Sequence, residues 1–227
     1  MQVTEALRVI LEIGKQPRRI VAGAMDWPGL DRWGTSEEAA LATLTAYLRR
    51  YADVARRAGL ADAFARVADV PRLEIIDRHP GSSTTDFWGI AHFPSQVEHE
   101  KLTHEELERR LALLRAAWAY FDDVAGRVSA ELAKGPRGGG RSRDEIVVHV
   151  YASERHNWWR KVGLRRADEA LLTPEELAAC RADYLDRIRA YHAEGKPART
   201  WPLGFLIRRT AQHVMDHAWE LEDKDLS

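Results

Sequence analysis

Residues 103–132 read THEELERRLALLRAAWAYFDDVAGRVSAEL. Within them Leu107, Leu111, Leu114, Trp118, Phe121, Ala125, Val128 and Leu132 recur at steps of 4, 3, 4, 3, 4, 3 and 4. That spacing stacks apolar side chains on one face of a helix and predicts a long helix with a buried seam. Thr103 and Glu106 stand at the spacing of a capping box, which fixes its start. Downstream, GPRGGGR at 135–141 reads as a loop, and Ser142 with Glu145 repeats the capping box and opens a second helix to about Val162. Thr173, Pro174 and Glu176 start a third, since proline suits the first helical position; its inward stripe is Leu177, Cys180, Tyr184, Ile188 and Tyr191. After the break at 195–202 a fourth helix runs from Leu203 to about Glu222. Four such helices predict an antiparallel four-helix bundle over residues 100–227.

Residues 1–99 follow another pattern. LRVILEI at 7–13 and IVAGAM at 20–25 are short and rich in β-branched residues, and LEII at 73–76 offers a third strand. GKQPRR at 14–19 and Pro28-Gly29 are turn signals. Thr35 or Ser36 can cap a helix that carries Glu37 and Glu38 in its first turn and runs to Arg57 before Gly59. The segment 79–99 shows no period and is expected to be a long connection. The expected fold class is therefore α+β, a small α/β module at 1–99 followed by the bundle.

Composition narrows the partners. The 227 residues carry 34 basic and 35 acidic side chains. Neither half is basic: 12 basic and 14 acidic groups precede residue 101, and 22 and 21 follow. Nucleic acid and anionic membrane are poor partners for such a surface. The single cysteine, Cys180, excludes an intramolecular disulfide and any cysteine-rich zinc site. No apolar run has signal-peptide or membrane-spanning length, so a cytoplasmic protein is expected; the oligomeric state stays open, with a homodimer as one expectation.

Nine histidines remain to be sorted. His213 and His217 form HxxxH on the fourth helix, one turn apart on one face, where both rings can reach one ion. Chance alone supplies about 0.35 such pairs in a chain of this histidine content. The stripe Leu206, Thr210, His213, His217 and Leu221 faces inward, and on the second helix Ile146, His149, Ser153 and His156 do the same. Three inward histidines from two helices, His149, His213 and His217, without cysteine to close the sphere, suit a divalent metal with an open position. His156 lies about 10 Å along the axis from His149 and reads as a packing or interface residue. Glu154 and Glu220 are placed to orient an imidazole or to serve as charged flanks. Asp216 is expected in solvent. Trp158, Trp159, Trp219 and Cys180 read as packing, and His79, His92, His99, His104 and His192 as surface residues.

The segments DEIVVHVYASERHNWW and TAQHVMDHAWELED, in the second and fourth helices of such a bundle, resemble the DinB-like superfamily, which includes the metal-binding domain of mycothiol-dependent maleylpyruvate isomerases. The resemblance covers residues 100–225. It implies zinc or nickel on His149, His213 and His217, with water or a low-molecular-weight thiol such as mycothiol in the fourth position. AMDWPGLDRWGTSEEAALATLTAYL is similar to the HicB-like antitoxin domain through Asp26, Pro28, Gly29, Gly34, Thr35, Glu38 and Ala39. The present chain departs from that family by lacking a recognisable C-terminal DNA-binding segment and carrying the bundle instead, so the small fold is what carries over.

The function these features imply is a metal-dependent, thiol-dependent S-transferase or isomerase acting on a small electrophilic substrate. Two alternatives stay open. One is a metal-dependent hydrolase, in which the ion activates water. The other is a non-enzymatic binding protein with a HicB-like interaction module. Arginine outnumbers lysine 28 to 6, which fits a GC-rich genome and a mycothiol-using bacterium.

Overall fold

The computed structural model describes residues 5–69, 72–135, 139–165 and 173–227. The chain is a mixed α+β structure, a four-stranded sheet at the N-terminus followed by helices. Strands β1 (Ala6–Ile13), β2 (Ile20–Ala24) and β3 (Asp31–Gly34) form an antiparallel meander. Strand β4 (Arg72–Pro80) returns beside β1 and parallel to it, giving the order β3-β2-β1-β4. The strands expected at 7–13, 20–25 and 73–76 are present. β3 escaped notice because DRWG is short and has no apolar run.

Helix α1 (Glu37–Arg57) is capped by Ser36, whose side chain accepts from the Ala39 N–H, and it ends before Gly59 as expected. A short helix α2 (Ala61–Ala68) follows it. Alternation along β1 and β2 sorts their side chains by face. Leu7, Val9, Leu11, Ile20 and Ala22 pack in one apolar core with Leu44, Leu48 and Tyr51 of α1. Val21, on the other face, packs with Ala91 and Phe205.

The connection at 79–99 is more ordered than its composition suggests. It holds a short helix α3 (Ser83–Trp88) and a single 3-10 turn at Gln96–His99. The organiser is Glu12, a buried carboxylate on β1. It accepts from the Thr85 hydroxyl at 2.5 Å and from the backbone N–H groups of His92 and Phe93 at 2.8–2.9 Å. His79 is 9% exposed and lies 3.4 Å from Glu12, so it is an interior residue and not the surface histidine the sequence suggested.

Three of the four downstream helices begin at the predicted caps: α4 (His104–Arg127) at Thr103, α5 (Arg143–Ser153) at Ser142 and α6 (Pro174–Ala193) at Thr173. Each cap is a reciprocal box, with Glu106, Glu145 and Glu176 reaching back. Helix α7 (Leu203–Asp223) follows Pro202. The seam of α4 outruns its helix. Val128 turns extended, yet Val128 and Leu132 stay buried, the latter through a bridge to Asp225. The predicted glycine-rich loop falls partly at 136–138, outside the described residues.

Helix α7 is buried on nearly every side. α4 and α5 pack against it, and so does the turn between β2 and β3. Gly29 has φ +96° there, and a Cβ on it would stand 2.9 Å from Met215 Cγ, so glycine is required twice over. Arg208 crosses the interior to bind Asp31 of β3 at 2.6 Å and Glu98 at 2.8 Å and 3.0 Å. These contacts fix α7, and the residues it carries, against the sheet. Among the described residues no helix is long and apolar enough to cross a membrane.

Candidate metal centre

His149 lies on α5 between Ile146 and Val150, which are buried and set the helix face. His213 and His217 lie one turn apart on α7, held by Val214, Met215 and Ala218 beneath them. The fold brings these three rings together as the spacing predicted. Their ligand atoms all lie within 4.8 Å of one another, and each ring is partly buried. Ring centroids are 4.8–5.1 Å apart.

The distances suit a cation. His149 Nε2 and His213 Nε2 stand 3.2 Å apart. Two imidazole nitrogens each bound 2.0–2.1 Å from a tetrahedral ion would be about 3.3 Å apart. Without a cation one ring must donate to the other across this gap, so both cannot be protonated there. Burial, with the charge of His217, pushes the His149 pKa down to about 4 and that of His213 well below its usual value. Both rings are therefore neutral at pH 7, the form that offers a lone pair.

Glu220 supplies the orienting contact expected of it. Its Oε2 lies 2.8 Å from His217 Nδ1, which leaves Nε2 as the ligating atom. Lys224 holds the other oxygen at 2.5 Å. The His217 contact, then Lys224, draws the Glu220 pKa down to about 2 despite burial. His213 has no such partner, and its Nδ1 is buried without a hydrogen bond.

The chain matches no protein-family model, no curated protein and no solved structure.

Two other expectations fail at the end of α5. Glu154 does not orient a histidine; it is fully buried and bound by Arg181 of α6 at 2.9 Å and 3.0 Å. His156 is exposed. The physical reason is a π turn at Glu154–Trp158, which advances the chain by less than a regular helical step per residue. A 3.6-residue wheel carried past Ser153 therefore puts His156 on the wrong face. The same turn brings Trp158 inward, with its ring 6.0 Å from that of His213.

Asp216 is not left to solvent, because Arg32 binds it at 2.9 Å. Trp219 packs against Tyr47 as an interior residue, and Cys180 is buried on α6. Arg209 stands four residues before His213, and the spacing that pairs the histidines puts it on their face, a signal for a further residue at the site.

Proposed function

We propose that the chain is a DinB-like protein whose helices α4 to α7 form a four-helix bundle. In this proposal His149, His213 and His217 bind a divalent ion, zinc or nickel, and the protein is a thiol-dependent S-transferase or isomerase for a small electrophilic substrate. The single observation carrying this is the convergence of three imidazoles from two helices within 4.8 Å. A sphere of three histidines leaves a fourth position open.

The protein's own groups have defined tasks. Glu220 fixes the His217 tautomer and raises its basicity as a ligand. Burial keeps His149 and His213 neutral. Trp158 walls off one side of His213 from water. A bound ion would lower the pKa of a coordinated thiol from its ordinary value of about 8.5. The only cysteine is buried on α6, which supports a thiol supplied from outside. Hydrolysis would need a free base, and Glu220, the carboxylate in contact with the cluster, is engaged by His217 and Lys224.

For residues 1–99 the proposal extends only to a HicB-like fold, supported by the order of meander, Pro28-Gly29 turn and capped helix α1. Elemental analysis of the purified protein tests the metal reading. About one ion per chain is expected, lost in His217→Ala; a metal-free preparation that also fails to take up zinc or nickel on dialysis overturns it. Turnover that requires an added thiol would then support the transferase or isomerase class.

A further inference from the structure

A pocket of about 440 Å³ opens beside the histidine cluster, lined by Asn157, Trp158, Lys161, Arg199, Trp201 and Arg209 among others. None of its described lining residues is acidic.

Arg209 is the deepest cation there, only 6% exposed. Its one hydrogen bond runs from Nη1 to the neutral Gln212 Oε1 at 2.7 Å, and its Nε is buried with no partner. Its guanidinium lies 5.6 Å from the centre of the Trp158 ring. A buried charge with no carboxylate in direct contact is costly; Arg181 and Arg208 bind carboxylates directly, whereas Asp31, Asp216 and Glu12 act on Arg209 only from a distance.

The mouth of the pocket repeats the pattern. Lys161 Nζ sits 3.5 Å over the Trp201 ring, and burial together with the charge of Arg199 lowers its pKa. Arg199 has φ +59°, the left-handed region that non-glycine residues rarely occupy. A tight turn imposes it, closed by paired backbone bonds between Ala198 and Trp201 at 2.8 Å and 3.1 Å. Strain of this kind gathers where a side chain must be aimed.

We propose that this pocket binds the anionic group, carboxylate or phosphate, of the substrate, with Arg209, Lys161 and Arg199 as its binding residues. Trp158 adjoins both sites, its ring centre 5.6 Å from the Arg209 guanidinium and 6.0 Å from the His213 ring. An anion seated on Arg209 would place the rest of a small molecule against the histidine cluster. The role as a substrate subsite rests on the metal-dependent reading; anion binding itself does not.

The test uses metal-free protein, so that the two can fail separately. Titration calorimetry with succinate, inorganic phosphate and neutral succinamide should show saturable binding of at least one anion and none of the amide. Affinity should fall with added salt. Arg209→Met and the double variant Lys161→Gln/Arg199→Gln at the pocket mouth should each weaken it at least tenfold, and the double variant serves if Arg209→Met does not fold. Binding of succinate alone would mark a carboxylate substrate, binding of phosphate alone a phosphate ester. His149→Ala should lose metal and keep anion binding. The bound anion should also shift the nitrogen resonances of the His213 ring. Absence of saturable anion binding, variants that bind like the parent, or an unmoved His213 signal would overturn the proposal.

Discussion

Glu220 Oε2 and His217 Nδ1 lie 2.8 Å apart within one turn of α7, the last ring of the histidine cluster being held by a carboxylate that Lys224 in turn holds. The arrangement prepares His217 for a cation before one arrives. Replacing Glu220 by alanine should therefore leave all three rings in place and weaken zinc or nickel binding by about 10- to 100-fold. Competition with a chromophoric chelator measures this, and unchanged affinity would show that the carboxylate serves only Lys224.

Arg208 makes a different kind of contribution, to the fold. It is 1% exposed and binds Asp31 and Glu98, both buried. Arg208→Met keeps the volume and strands two carboxylates in the interior. A loss of about 3–5 kcal/mol is expected, the usual cost of breaking a buried pair from one side. Urea unfolding of the variant measures it; a loss below 1 kcal/mol would mean that water reaches Asp31 and Glu98.

Acid should destabilise the metal-free protein through the histidine cluster. In the unfolded chain His149 takes up a proton below about pH 6.5, whereas burial delays it to about pH 4 in the folded protein. His213 is shifted in the same direction. Between these limits the unfolded state binds more protons, so stability is full above pH 6.5 and declines as the pH falls toward 4. Melting temperatures of chelator-treated protein and of His149→Gln/His213→Gln, compared across that range, should converge or cross as the pH drops. Parallel curves would mean that the two rings are already protonated in the folded chain.

Much of this was legible in the sequence because it is written locally. Thr103, Ser142 and Thr173 cap the helices they were expected to cap, and of Thr35 and Ser36 it is Ser36 that caps α1, since a cap depends on residues three positions away. His213 and His217 share a face for the same reason, and α5 stays regular through His149. What stayed hidden depends on partners far along the chain. Glu12 organises residues 85–93 from more than 70 positions away, and nothing in the composition of 79–99 announces it. Glu154 finds its partner in Arg181 on another helix, which no local spacing announces. β3 and α2 are too short to show a period, and Asp31 of β3 is understood only once Arg208 is seen to reach it.

The π turn at Glu154–Trp158 follows α5 directly and passes into a 3-10 turn at Trp159–Val162. Deleting one residue within it would rotate the chain beyond by about 100°. Trp158 would swing away from His213, Lys161 from Trp201, and Glu154 or its successor from Arg181, while His149, upstream, would not move. The histidine cluster thus takes its α5 ligand from before the π turn, while the pocket takes Trp158 and Lys161 from within and beyond it. Lineages could lengthen or shorten that turn to re-aim the pocket for a new ligand while leaving the three imidazoles as they are.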